Sequence, residues 1–305
     1  MTDKKLTFES TLKSMDTEEF LDIHFYRPIG YRWALFFHKL GVTPNQITLA
    51  SIIVGIASGI CFYYDALEIK ITGICLLILA NSYDSADGQL ARMTGQKTEL
   101  GRILDGVGGI FWFISIYIAI ICNLWPEWGF YILALALLAG ASHGTQTRMA
   151  DYYRNIHLFF LKGKNGSELD NSADLQQRYK TLSWRKKPLL KFFEYNYLNY
   201  TRGQESWTPH FNAMMRVLRL QFAGVAPEWF RAEFREKSLR LMKYTNMLSF
   251  NLRSIVLFIS ALCGMLWIYF VFEVTVMNFM MLYMVRAHEK ICAGFTEKLM
   301  KYAES

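Results

Sequence analysis

Two aspartates three residues apart, Asp84 and Asp87, close an otherwise apolar run, and a third, Asp105, stands near the start of the next run. Residues three apart share a helix face, so Asp84 and Asp87 point the same way, with Gly88 and Ala91 leaving room beside them. If the following segment runs back antiparallel, Asp105 returns to the same depth. Three carboxylates so placed repel one another unless protons or cations intervene. Hard divalent cations with oxygen ligands are the natural remedy, and Mg²⁺ commonly shares such ligands with substrate phosphates. The plainer alternative is a group of aspartates that simply face water at a membrane surface. Ionisable groups at membrane depth are costly, however, and default to a functional role.

The elements that must hold these residues are apolar blocks of membrane length. The chain has 305 residues, 52% of them hydrophobic and 16% aromatic, and a span needs about 20 mostly apolar residues. Six blocks qualify: Gln46–Tyr64, Ile71–Ala91, Ile103–Trp125, Trp128–Thr147, Met247–Phe272 and Val274–Cys292. Residues 1–25 are charged and lack an apolar core of the signal-peptide kind, so the first span is expected to act as an uncleaved insertion signal. Basic residues crowd the segment before the first span, the turn between the second and third, the long segment after the fourth, and the tail. By the positive-inside rule both termini and the long segment are expected on the cytoplasmic side, with a bacterial inner membrane the favoured location.

This topology also explains the net charge of +7. Residues 160–245 alone hold 16 basic and 8 acidic residues, and basic residues beside a bilayer are drawn to anionic headgroups. The charge therefore implies membrane lipid as a partner and not nucleic acid. The five cysteines all fall in or at the ends of the apolar blocks, without paired spacing, and read as small apolar residues, neither disulfides nor a zinc site.

The expected fold is all-α: a six-helix transmembrane bundle, an N-terminal interfacial helix and a cytoplasmic helical insertion between spans four and five. The chain divides into an N-terminal segment (1–42), four spans carrying the aspartates (43–160), a basic, aromatic-rich insertion (161–245), and the last two spans with the tail (246–305). Residues 25–40 mix aromatic and basic side chains as a helix lying on the cytoplasmic leaflet does. Thr43-Pro44-Asn45 turns the chain into the membrane, with proline suited to a first helical turn. The insertion reads equally as a headgroup-level segment or as a small helical cap with its own core.

The aspartates stand in a longer pattern: Asp84-x2-Asp87-Gly88-x2-Ala91-Arg92, eight residues, then Gly101-x3-Asp105. This resembles the motif of the CDP-alcohol phosphotransferases, and the resemblance covers residues 43–112, with a fainter likeness at HGTQTRMADYYRN to bacterial members thought to use inositol phosphate. What it implies is transfer of a substituted phosphate from a CDP-alcohol such as CDP-diacylglycerol to an acceptor hydroxyl, with CMP released, at a site of two Mg²⁺ or Mn²⁺ ions. Two metals about 4 Å apart can clamp the attacking and leaving oxygens of an in-line displacement. The resemblance makes Asp84, Asp87 and Asp105 metal ligands and lets the nucleotide approach at Gly88. It pairs Arg92 with a phosphate and places Asn45, Thr48, Ala91, Thr98 and Gly101 around the CDP moiety. A homodimer follows from the resemblance alone.

One residue departs from the motif. Its last aspartate, a metal ligand and the proposed general base, belongs at position 109, where this chain has Gly109. The protein is then active with another base or none, or an impaired relative that still binds the CDP-lipid, or a variant form. His143 and His288 are the candidate substitute bases, and close helix approach is the packing explanation for Gly108-Gly109. Arg148, Arg154, Arg253 and Arg286 are candidates for holding a phosphorylated acceptor, inositol phosphate or another polyol phosphate, with Asp151, Glu289 or lipid headgroups as their alternative partners. A cation transporter would place its acids near the bilayer midplane beside broken spans, whereas these aspartates sit at one end of theirs.

Overall fold

The computed structural model describes residues 14–96, 98–163 and 166–304, without the side chains of residues 99, 100, 102, 103 and 105. Among the described residues all regular structure is helical. A short π-helical turn, Asp22–Tyr26, leads into α1 (Arg27–Lys39), α2 (Pro44–Cys61), α3 (Leu67–Thr94), α4 (Glu99–Trp128) and α5 (Phe130–Lys162). Then come α6 (Ser172–Thr181), α7 (Pro188–Ser206), α8 (Pro209–Gln221), α9 (Glu228–Met247), α10 (Phe250–Leu262), α11 (Trp267–Val274) and α12 (Val276–Glu304). The chain forms two compact units, Met1–Ala141 with Phe250–Val274 and Ser142–Ser249 with Thr275–Ser305.

Local chemistry sets the helix ends around the aspartates. Thr43 and Gln46 make a capping box, the Thr43 N–H donating to Gln46 Oε1 at 2.9 Å, with Pro44 in the first turn. Gly95, in the left-handed region at φ +70°, stops α3. The Thr98 hydroxyl accepts the Gly101 N–H at 2.9 Å and opens α4.

Among the described residues four stretches are long and apolar enough to cross a bilayer: Pro44–Cys61, Gly106–Trp128, Glu228–Leu262 and Trp267–Glu304. α3 and α5 have the length, but α3 carries Asn81, Asp84, Asp87 and Gln89 in its second half, and α5 carries His143, Gln146, Arg148 and Asp151 around its middle. The expected fifth block, Met247–Phe272, is not one helix. α10 ends in a Schellman motif: Gly264 adopts φ +71°, its N–H donates to Ala261 O at 3.2 Å, and the Met265 N–H reaches back to Ser260 O at 2.9 Å. The chain then restarts as the short α11.

In the first unit, α2 packs against both α3 and α4, and α1 lies on α3. Small residues allow the close approach: a Cβ on Gly55 would sit 2.1 Å from the Trp112 indole, and one on Gly59 2.4 Å from Ser115 Oγ. Lipid tails are as apolar as leucine, so such packing, with hydrogen bonds, is what holds membrane helices together. The Ser58 hydroxyl donates to Gly73 O at 2.7 Å and the Ser115 hydroxyl to Ile56 O at 2.9 Å. Leu77, Ile116, Leu257, Tyr269 and Phe270 fill the core. Arg253 and Glu273, both fully buried, form an ion pair that ties α10 to α11.

In the second unit, α8 and α9 pack on α12. The residue 161–245 segment thus has an interior, which it shares with α12 and the end of α5: the rings of Phe160, Phe230, Phe234 and Phe295 pack against one another, mostly at tilted and edge-on angles, all at most 2% exposed. Glu289 accepts the backbone N–H groups of His210 at 2.6 Å and Phe211 at 3.2 Å, capping α8.

Candidate active site

α3 carries Asp84, Asp87, Gly88, Ala91 and Arg92 in its last three turns, and α1 braces that segment. Gly30 of α1 lies so near that a Cβ there would be 2.7 Å from Ser85 Oγ. Gln89 donates from Nε2 to Arg27 O at 3.0 Å and lies 3.2 Å from Ser85 Oγ. Trp33 and Phe37 pack edge-on against Tyr83, while Ala34, Ile47, Ala86 and Leu90 close a small apolar core behind. The aspartates therefore stand on a helix whose opposite face is locked, so their direction is set before any ligand arrives.

Asp87 is only 4% exposed. Asp84 faces α4: its Oδ1 lies 4.0 Å from where a Cβ on Gly108 would be. Position 105 lies on the same helix one turn earlier, while the Asp105 side chain is outside the described residues. The donor set is carboxylate oxygen throughout, and this fits a hard divalent cation and not a soft one.

The starts of α2 and α4 meet. Asn45 Nδ2 donates to Thr98 Oγ1 at 3.2 Å, and a Cβ on Gly101 would fall 2.6 Å from Asn45 Oδ1. Asn45, Thr98 and Gly101 are thus one cluster, and glycine at 101 is what lets the two helix ends touch. Arg92 folds its guanidinium back over Gly88, 3.4 Å from a Cβ position there. Ala91 is half-buried on the same stretch. Thr48 is not part of the cluster: it is buried, and its hydroxyl donates to Pro44 O at 3.1 Å.

Gly109 corrects the packing explanation. A Cβ on Gly108 would meet Ile52 at an ordinary 3.6 Å, and one on Gly109 would meet nothing within 4 Å among the described residues. Among the described residues no close helix contact requires glycine at 109. A side chain placed there would stand one residue from the α4 position that Asp84 faces.

The four arginines have separate surroundings. Arg253 is committed to Glu273, a partner missed from sequence because a lone Glu in an apolar run reads as a turn residue. In the second unit, Arg148 lies over the Tyr200 ring at 5.2 Å, with its buried Nε lacking a hydrogen-bond partner among the described residues. The Tyr200 hydroxyl is 3.4 Å from Asp151 Oδ2. Burial, and then the Asp151 carboxylate, push that hydroxyl above its ordinary range against the pull of Arg148, so it stays protonated and donates. Arg154 reaches Asn246 Oδ1 at 3.3 Å, and Arg286 is exposed on α12. His288 is walled in at 3% exposure, its ring 4.2 Å from that of Tyr153 and its Nδ1 3.5 Å from Cys292 Sγ. Such enclosure leaves it no route to a substrate proton.

The family model of CDP-alcohol phosphatidyltransferases matches residues 41–152. A bifunctional IPC transferase and DIPP synthase of Aquifex aeolicus is 27% identical over 135 residues, covering 42% of this chain and 31% of the relative. An archaetidylinositol phosphate synthase of Pyrococcus horikoshii is 34% identical over 67 residues, 22% of this chain and 34% of the relative. The inner membrane protein YnbA of Escherichia coli is 32% identical over 82 residues, 27% of this chain and 41% of the relative. This chain therefore spans about a third of the length of the curated relatives it matches. The matched region contains the aspartates, the Asn45–Thr98–Gly101 cluster and Gly109, and over it this integral membrane chain is similar to the CDP-alcohol phosphatidyltransferases.

Proposed function

We propose that this protein transfers a phosphatidyl group from a CDP-alcohol, CDP-diacylglycerol in the first instance, to an acceptor hydroxyl with release of CMP. The observation that carries the reading is Asp84 and Asp87 on a braced helix, with Asp84 facing α4, the helix whose start forms the Asn45–Thr98–Gly101 cluster with α2. Asp84, Asp87 and Asp105 would hold two Mg²⁺ or Mn²⁺ ions, which when bound supply charge neutralisation for the pyrophosphate and its leaving oxygen. Asn45 and Thr98 offer amide and hydroxyl groups to the nucleotide, and Gly88 leaves space for it. Arg92, an always-charged fork of donors, suits a phosphate oxygen.

The acceptor is proposed to be a phosphorylated polyol such as inositol phosphate, held by Arg148, Arg154 and Arg286. Arg253 is already neutralised by Glu273 and is assigned a structural role. An acceptor hydroxyl near a divalent cation can lose its proton without a dedicated residue, so Gly109 slows the reaction without forbidding it. In the membrane, α2, α3, α4, α5, the α10–α11 pair and α12 are proposed as six crossings, with both termini and residues 161–245 cytoplasmic.

The test is CMP release from CDP-diacylglycerol by the purified full chain, with Mg²⁺ or Mn²⁺, across inositol phosphate, glycerol phosphate, inositol and serine. Release with a phosphorylated acceptor alone supports the assignment; release only with inositol or serine overturns the acceptor. The open space at Gly109 favours a second reading, a CDP-lipid-binding relative that has lost turnover. Saturable CDP-diacylglycerol binding with no CMP release under any acceptor would select it.

A further inference from the structure

Outside the matched family region, α9 and α12 of the second unit enclose an open groove of about 610 Å³. Its cations come from both walls: Lys237, Arg240 and Lys243 at three-residue steps on α9, and Lys290 and Lys298 two turns apart on α12. Three of them already have carboxylates. Glu233 holds Lys237 at 3.2 Å and Lys298 at 2.5 Å, and Glu236 holds Arg240 at 2.7 Å. Lys243 and Lys290 are exposed, and among the described residues neither has a carboxylate partner.

Beside the cations lies an apolar strip. Tyr283, Ala287 and Ile291 follow one another at four-residue intervals on one face of α12, and the Tyr244 ring of α9 meets that of Tyr283 at 4.9 Å. Tyr283 is 54% exposed. A free phosphate ion would use the lysines and leave this strip in water. An amphiphile with an anionic head uses both, in the way that lysines keep their heads at a polar surface and their stems on an apolar one. α12 lies within Trp267–Glu304, one of the stretches apolar enough to cross a bilayer, so lipids are the molecules that surround it.

We propose that the α9–α12 groove binds one anionic phospholipid, its phosphate between Lys243 and Lys290 and the upper part of an acyl chain on Tyr283, Ala287 and Ile291. Opposite charge on head and groove, joined to an apolar strip of one helix face, selects this occupant. The inference rests on the chain being a membrane protein and is independent of turnover.

The experiment counts lipids retained by the detergent-solubilised full chain in native mass spectrometry. Dioleoyl phosphatidylglycerol, dioleoyl phosphatidylcholine or inorganic phosphate is titrated without CDP-diacylglycerol. Two lysine–phosphate contacts predict a preference for phosphatidylglycerol over phosphatidylcholine of about tenfold or more. Lys243→Glu with Lys290→Glu should abolish the preference. Lys180→Glu with Lys187→Glu, an equal change of net charge on exposed residues elsewhere, should keep it. The neutral pair Lys243→Gln with Lys290→Gln should also lower it, and serves if charge reversal disturbs folding as judged by helical circular dichroism. No preference in the native chain overturns the proposal, as do an equal loss in the Lys180/Lys187 control and displacement of the lipid by equimolar inorganic phosphate. Because binding is read without catalysis, a chain that releases no CMP can still pass, and an active one can still fail.

Discussion

Gly109→Asp isolates the residue in which this chain departs from the motif it otherwise matches. A Cβ at 109 meets no heavy atom of the described residues within 4 Å, so the substitution meets no steric cost from them. Glycine is about 1 kcal/mol worse than alanine inside a helix, and aspartate is somewhat less unfavourable than glycine, so propensity gives a gain of a few tenths. Asp105 stands four residues earlier on the same helix, and a like-charge pair at that spacing costs roughly 0.2–0.5 kcal/mol. The two effects offset, and the variant should keep its thermal stability within about 0.5 kcal/mol in the absence of metal. With Mg²⁺ or Mn²⁺ its stabilisation should exceed that of the native chain, because an added carboxylate tightens cation binding and bound ligand stabilises by mass action. CMP release should rise by about 10²–10⁴-fold, the ordinary contribution of a positioned general base. The assay is initial-rate CMP formation at saturating CDP-diacylglycerol, with thermal unfolding in parallel. A folded Gly109→Asp protein with unchanged release and unchanged metal response would refute the placement of the base at this turn of α4.

Chelation with EDTA should abolish CMP release, and added Mg²⁺ or Mn²⁺ should restore it. Asp84→Asn or Asp87→Asn should cost about 10²-fold or more, and rates above half the native value in either would remove the carboxylates from the chemistry. Gly101→Ala pushes a methyl group to 2.6 Å from Asn45 Oδ1, so KM for CDP-diacylglycerol should rise while acceptor KM stays unchanged; equal rises in both would show a general distortion. Arg253→Ala leaves Glu273 buried without its partner and should cost about 3–5 kcal/mol in detergent unfolding, whereas joint Arg253→Met and Glu273→Leu should recover most of it; loss of acceptor affinity in the stable double variant would return Arg253 to the acceptor site. Gly55→Ala drives a methyl group into the Trp112 ring and should destabilise by about 1–3 kcal/mol, and an unchanged melting temperature would contradict the close α2–α4 contact.

The elements around the site were legible because their signals are local. An apolar run of membrane length, Thr43-Pro44 with Gln46, and Gly95 each act through neighbours a few residues away. The face shared by Asp84 and Asp87 follows from helical periodicity alone. The break at Gly264 was not legible, because an apolar run with one glycine reads equally as a continuous span, and only the backbone angle of +71° distinguishes them. Tertiary contact likewise decided the pairing of Arg253 with Glu273, the enclosure of His288, and the open space at Gly109 beside a closely packed Gly55. Each of these depends on which helix face meets which, and that is settled by side-chain packing between segments far apart in the chain, which a local pattern does not encode.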